Sequence, residues 1–284
     1  MEGQAAAPAA GTILNALATG TGSAFAIDEY VTATVTLSGK QGVSGEIAGR
    51  DESDTRLIER CVELVVDRFG DGEGGVVRTE SDVPPAAGLK SSSAAANATV
   101  MATLDALGAA EAVSCEAAAR IGVQAARDVG VTVTGAFDDA SASMLGGLTR
   151  TDNRADELLA HDDIEWDVLV WTPAQRAYSA EADVERCRRI APVADLVAEL
   201  ALDGAYERAM TVNGFAFCGA LGFSAEPLLE GLLGATGVSL SGTGPSFTAV
   251  GDRESLAAVQ ECWERRDGTT WLTETQSKGA CIDD

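Results

Sequence analysis

The sequence predicts an α+β protein of two halves that meet near residue 155, and three observations carry that prediction. Stretches that alternate apolar with small polar residues are interleaved with stretches that are apolar at helical spacing. After about residue 155 this interleaving gives way to a mainly helical run closed by short strands. The 284 residues, 46% of them apolar, can bury a full core, and neither an internal repeat nor a low-complexity linker divides them. The two domains are therefore expected at 1–155 and 156–284.

Taken in order, residues 12–18 read as a strand and 19–23 as a glycine-rich turn, with Val31, Ala33, Val35 and Leu37 as the alternating face of a second strand. Residues 55–69 place Ile58, Cys61, Val62, Val65, Val66 and Phe69 on one helical face, and the glycines of 70–75 stop that helix. Residues 76–81 read as a strand. Pro84, Pro85 and Gly88 punctuate a loop at 82–89, and an alanine-rich helix follows at 91–107, alanine being the strongest helix former. Residues 114–129 suit a further helix with Ser114 as its N-cap, and 137–145 a short one closed by Gly146-Gly147. Beyond the boundary, 167–172 is a strand that Pro173 stops, and helices occupy the chain to about 235. Strands at 238–241 and 247–251 flank Gly242-Thr243-Gly244; a helix at 254–264 and a strand near 269–275 complete the order.

Forty-four acidic residues against twenty basic ones give a net charge of -24 and a pI near 4.2. The acids are scattered rather than gathered in a tail, so they read as an acidic surface on an ordinary core. Such a surface predicts a salt-loving source, in which ions screen the repulsion. With no basic face, nucleic acid is not an expected partner. No run of eighteen apolar residues appears, which argues against a membrane span, and Met1-Glu2-Gly3-Gln4 lacks the basic and apolar regions of a signal peptide. Six separated cysteines with no C-x-x-C pair read as reduced thiols of a cytoplasmic protein. His161, the sole histidine, removes histidine-cluster metal sites, leaves a Ser-His-Asp triad one possible base, and reads as a solvated loop residue. Monomer and homodimer are both open.

The run Pro85-Ala86-Ala87-Gly88-Leu89-Lys90-Ser91-Ser92-Ser93-Ala94-Ala95 carries the chemistry. A glycine turn delivers the chain into a helix whose first turn bears three serines. The first N–H groups of a helix have no intrahelical partner, and the helix dipole places partial positive charge there. Small residues let a phosphate approach, serine hydroxyls add donors and Lys90 adds a full charge, in a chain with three lysines. One of the serine oxygens suits Mg²⁺, which takes hard oxygen ligands. The run is not a Walker A motif, and plain helix capping by serine is the alternative reading.

This run resembles the central motif of the GHMP kinases, the family of galactokinase, homoserine kinase, mevalonate kinase and phosphomevalonate kinase. Leu240-Ser241-Gly242-Thr243-Gly244-Pro245-Ser246 resembles the family's C-terminal glycine motif, and residues 11–35 sit where its N-terminal substrate motif belongs. Gly88-Leu89-Lys90-Ser91-Ser92-Ser93, Gly135-Ala136-Phe137-Asp138-Asp139-Ala140 and Asn213-Gly214-Phe215 through Glu226-Pro227 look most like the archaeal-type shikimate kinases. The resemblance implies an N-terminal ribosomal-protein-like α/β domain and a C-terminal ferredoxin-like α+β domain. It also implies phosphoryl transfer from ATP, with Mg²⁺, to the 3-hydroxyl of shikimate. Homoserine or another small alcohol, or a non-catalytic metabolite sensor, are the alternatives.

The resemblance further implies roles. Asp139 matches the family's catalytic aspartate by its spacing from Gly146-Gly147, with adjacent Asp138 able to take the part or to act as the helix N-cap. Asp128, eleven residues upstream, matches a Mg²⁺ ligand beside Ser92, with a surface salt bridge as the alternative. Ser241, Gly242, Thr243 and Gly244 would close over nucleotide and substrate, a tight strand turn being the other reading. Thr19-Gly20-Thr21-Gly22-Ser23 departs from the family in lacking a lysine, which leaves Lys90 or one of seventeen arginines as the cation near the reacting groups.

Overall fold

The computed structural model describes residues 1–39, 42–50, 53–84, 87–132, 134–174 and 182–282. The chain runs through β1 (Glu2–Leu14), β2 (Thr21–Ser38), β3 (Val43–Ile47), α1 (Arg56–Phe69), β4 (Gly74–Ser81), α2 (Ser91–Ala106), α3 (Cys115–Val129), α4 (Phe137–Leu145), β5 (Leu148–Asp152) and β6 (Glu157–Asp162). Then follow β7 (Asp167–Thr172), α5 (Val184–Arg188), α6 (Ala191–Leu202), α7 (Tyr206–Leu221), α8 (Glu226–Gly231), β8 (Gly237–Leu240), β9 (Phe247–Gly251), α9 (Arg253–Trp263), β10 (Thr269–Glu274) and β11 (Cys281–Ile282).

The first sheet has the order β11-β1-β2-β4-β3, with β5 pairing the start of β2 and β6 pairing β5. Its β3–β4 pair is parallel, and its other pairs are antiparallel. The second sheet, β10-β7-β9-β8, is antiparallel throughout. The sheets therefore divide after Asp162 rather than at 155, and β11 returns from the far end of the chain to β1. His161 lies on β6 rather than in a loop, with Nε2 2.9 Å from the Gly146 carbonyl oxygen.

β1 starts about ten residues before the expected strand. Apart from Glu2 and Gln4, its first half is alanine, glycine and proline, which carries no strand signal, yet those small residues have a use. A Cβ on Gly3 would lie 2.2 Å from the Ala102 carbonyl oxygen, so α2 packs almost on the backbone of β1. Helix α2 is buried around most of its circumference, through Ala94, Ala98, Val100, Ala102 and Leu104 among others. An alanine-rich helix can be enclosed in this way because it has little bulk to exclude.

One face of the first sheet carries α1 and α2, through Ala5, Ala7, Val31, Ala33, Val35, Ile58, Val62 and Ala98. On the other face Ile13, Phe25, Ile27 and Leu148 join Val170, Phe217, Leu240 and Trp263 in a core that runs through both halves. Among the described residues no helix is long and apolar enough to cross a membrane.

Candidate active site

A cavity of about 1000 Å³ opens where the N-terminus of α2, the first turn of α4 and the turn after β8 converge. Asn15, Gly88, Lys90, Ser92, Asp139 and Gly242 are among the residues that line it. Pro85 and Ala86 lie outside the described residues. Ala87, Gly88 and Leu89 form the approach to the helix, with Gly88 at φ 79°. A Cβ on Gly88 would lie 2.3 Å from the Ser241 carbonyl oxygen and 2.8 Å from that of Gly244. Glycine is needed there for conformation and for room alike.

The two loops are bolted together. Ser241 Oγ donates to the Gly88 carbonyl at 2.8 Å, and the Ser246 amide donates to that of Ala87 at 3.1 Å. The Ala10 amide of β1 donates to the Leu89 carbonyl at 3.1 Å, while the Gly242 amide donates to Thr12 Oγ1 at 2.8 Å. The N-terminal segment, the helix approach and the closing loop Ser241-Gly242-Thr243-Gly244 thus form one connected wall.

Lys90 is the N-cap residue of α2 in the left-handed region, at φ 62°, and makes no side-chain cap. That conformation costs a lysine roughly 1–2 kcal/mol. It leaves the first N–H groups of α2 without a side-chain acceptor and surrounds them with Ser91, Ser92 and Ser93 on the cavity wall. Ala94 is buried behind them, and Ala95 lines the wall. Nζ of Lys90 lies 2.6 Å from Asp139 Oδ1, and both side chains are largely withdrawn from solvent. Gly242 gives the ammonium its space, since a Cβ there would stand 3.0 Å from Nζ.

Asp138 and Asp139 open α4 but face different surroundings. Asp139 meets Lys90, and burial, then the Asp138 charge, push its carboxyl up to about 7, with Lys90 pulling the other way. Asp138 is wedged between Asn153, whose Nδ2 donates to Oδ1 at 2.6 Å, and Gly22, where a Cβ would lie 2.5 Å from Oδ2. Asp138 does not cap its own helix: the residue at the N-cap position is Ala136, without a side-chain acceptor.

The structure does not bring Asp128 to the cavity wall. Its carboxylate accepts from Arg60 Nε at 2.8 Å, and Arg60 also holds Glu63, so it forms the surface ion pair that was the alternative reading. Three amides that the sequence reading gave no role complete the site. Asn15 Nδ2 donates to the Gly242 carbonyl at 2.8 Å, and the Asn15 amide donates to Asn213 Oδ1 at 3.0 Å. Asn153 joins Asp138 to the turn at Gly20. The signal for Asn15 was present, as a polar residue inside an otherwise apolar run, but its partners lie some two hundred residues away in sequence.

The arrangement offers orphan N–H donors and hydroxyls for phosphate, a buried carboxylate near neutrality for a hydroxyl proton, and an ammonium that fixes that carboxylate. Residues 56–147 match the family described as GHMP kinases N terminal domain. The chain is 62% identical over 281 residues to a shikimate kinase of Halobacterium salinarum, covering 99% of each. It is 53% identical over 265 residues to one of Methanosarcina acetivorans, covering 93% of this chain and 90% of that one. In fold it is similar to homoserine kinase from Cytophaga hutchinsonii (TM-score 0.78, 15% identity, 99% and 97% coverage). It is also similar to mevalonate kinase of Methanococcus jannaschii (TM-score 0.75, 14% identity, 96% and 98% coverage). With identity of this extent and a wall built from all three motifs, the chain belongs to the GHMP kinase superfamily and, within it, to the shikimate kinase family.

Proposed function

We propose that the chain transfers the γ-phosphoryl group of ATP to the 3-hydroxyl of shikimate, on the route to chorismate and the aromatic amino acids. The observation that carries the chemistry is the buried Lys90–Asp139 pair beside the uncapped N-terminus of α2. Family membership supports the choice of acceptor alcohol.

Phosphoryl transfer asks mainly for positioning and charge neutralisation. The first N–H groups of α2 and the hydroxyls of Ser91, Ser92 and Ser93 hold the phosphates, and the turn at Ser241–Gly244 covers them. Asp139 accepts the proton of the attacking hydroxyl; with its carboxyl near 7 it is basic enough to take that proton and ionised often enough to be ready. Lys90 holds the carboxylate in one direction and supplies a cation where the family's N-terminal lysine is missing. The donor set fits Mg²⁺ carried mainly by the nucleotide: Ser92 offers one hard oxygen, and among the described residues no group of three or more acids, cysteines or histidines gathers around it. Bound there, Mg²⁺ would neutralise charge on the phosphate oxygens. The six free cysteines suit a reducing, cytoplasmic compartment.

Coupled ATP-consumption assays with shikimate, homoserine and mevalonate test the reading. Turnover with shikimate is expected, at a kcat/KM well above the other two. No turnover with shikimate would overturn it.

A further inference from the structure

Helix α4 presents the reacting carboxylate, yet its own N-terminus carries no local cap. Ala136 stands at the N-cap position with φ 52° and offers no side-chain acceptor. The missing acceptor comes from elsewhere in the chain. Asn153 follows β5 and is buried at 1% exposure, whereas an asparagine at the end of a strand commonly serves a surface turn.

Each polar group of Asn153 is spent on this corner. Its Oδ1 accepts from the Asp138 amide in the first turn of α4 at 3.0 Å, and from Thr151 Oγ1 at 2.7 Å. Its Nδ2 donates to Asp138 Oδ1 at 2.6 Å and reaches Thr134 Oγ1 at 3.4 Å. Its backbone amide donates to the Gly20 carbonyl at 2.9 Å, and its carbonyl accepts from Arg127 Nη2 at 3.3 Å. Amide and aspartate thus close a two-bond ring, with one bond to backbone and one to carboxylate. The two bonds fix the first turn of α4, while the packing of Phe137, Ala140 and Met144 and the Asn97–Ala140 hydrogen bond hold the rest of the helix. Gly22 on the far side of Asp138 gives that carboxylate its place, since a Cβ there would lie 2.5 Å from Oδ2. Asp139 is the next residue along the same helical turn, so its direction toward Lys90 is set by the ring on Asp138.

We propose that Asn153 is a positioning residue of phosphoryl transfer: a remote cap that locks the first turn of α4 and, through Asp138, aims the Asp139 carboxylate at Lys90 and the acceptor hydroxyl. The inference rests on reading Asp139 as the proton acceptor. It assigns Asn153 no contact with substrate.

Asn153→Asp tests it, because the substitution keeps the shape while facing two carboxylates across the ring. Expected is a fall in kcat of about a hundredfold, the size of effect a misplaced reacting group produces, with nucleotide affinity within about threefold of the unaltered protein. Combining Asp138→Asn with Asn153→Asp lets the amide at 138 donate to the carboxylate at 153, so the ring re-forms with reversed polarity. The pair is expected to recover at least about tenfold of the lost kcat. Hydrogen exchange supplies a reading independent of activity: the Asp138 amide, whose acceptor is Asn153 Oδ1, must lose protection in Asn153→Ala, which removes that acceptor. Retention of kcat within about threefold, or unchanged protection of that amide, would overturn the proposal. So would failure of the pair to recover while Asp138→Asn alone stays active. If Asn153→Asp does not fold, Asn153→Ser, which is too short to close both bonds, takes its place under the same criteria. Turnover of shikimate by the unaltered protein is measured first. Its absence defeats the functional reading, and the Asn153 series is then run on whichever alcohol the protein phosphorylates.

Discussion

Asp139 is an acid whose surroundings work against its charge and whose one cation restores part of it. Burial is the larger influence, the Asp138 charge adds to it, and Lys90 opposes both, leaving the carboxyl at about 7. The protonated form cannot accept a hydroxyl proton, so kcat/KM should fall as pH drops below about 7. Lys90→Met removes the opposing influence; the acidic limb of that profile should then move to higher pH, and kcat should fall because the carboxylate loses its tether. A limb that stayed in place would show that Lys90 does not act on Asp139. Asp139→Asn should lose kcat by about three orders of magnitude or more while still binding nucleotide, as equilibrium titration would show. The same group bears on stability with a definite sign. A folded value above the unfolded one means that the folded state holds the proton more tightly, so this contribution weakens the fold as pH rises from about 4 to about 7.

The elements that make the site are short turns pressed onto one another, and their glycines are where the design is least forgiving. Gly88→Ala combines a left-handed backbone with a Cβ that would lie 2.3 Å from the Ser241 carbonyl oxygen. Neither clashing group is a flexible side-chain end, so the helix approach must move away from the closing loop. The expected result is a KM for ATP raised by about tenfold or more, together with a lowered melting temperature, because Ala87 and Leu89 on either side of Gly88 are buried in the shared core. An unaltered KM would mean that the wall at Gly88 does not shape the nucleotide site. Most elements at this scale were legible in the sequence. The helix at 137–145 and the strands at 167–172 and 247–251 stand where periodicity and turn residues put them. What was not legible has a physical reason in each case. The first half of β1 is rich in small residues that let α2 approach closely, and β6 sets Leu158 beside an exposed Leu159, so it shows no apolar alternation. Asn15, Asn153 and Asn213 act through partners distant in sequence, and amide bonds of that kind leave no periodic trace. Asp128 fitted a spacing, but Arg60, sixty-eight residues away, claims its carboxylate.

At the scale of the whole molecule, a net charge of -24 must be carried by a core built largely from small side chains. Ala5, Ala7, Ala33, Ala94, Ala98 and Ala102 fill much of the cluster between the first sheet and its helices, beside Val31, Val35 and Val62, and each alanine removes little apolar area from water. Hydrophobic stabilisation scales with that area, so the reserve available to offset repulsion is thin where the helices meet the sheet. Repulsion among surface acids reaches about 30 Å at 0.01 M salt and about 3 Å at 1 M. In dilute buffer each carboxylate therefore acts across the molecule, and in molar salt it acts on its immediate neighbours. The melting temperature followed by circular dichroism should rise steadily between 0.1 M and 3 M KCl, and kinase activity should follow it. Potassium sulfate at matched ionic strength separates screening from water withdrawal, because sulfate strengthens apolar burial as well. If screening dominates, the rise below 1 M should be nearly the same in both salts, and the curves should part only at higher concentration. A melting temperature independent of KCl would mean that the acidic surface is not what limits the fold, and that its charge answers to something other than salt.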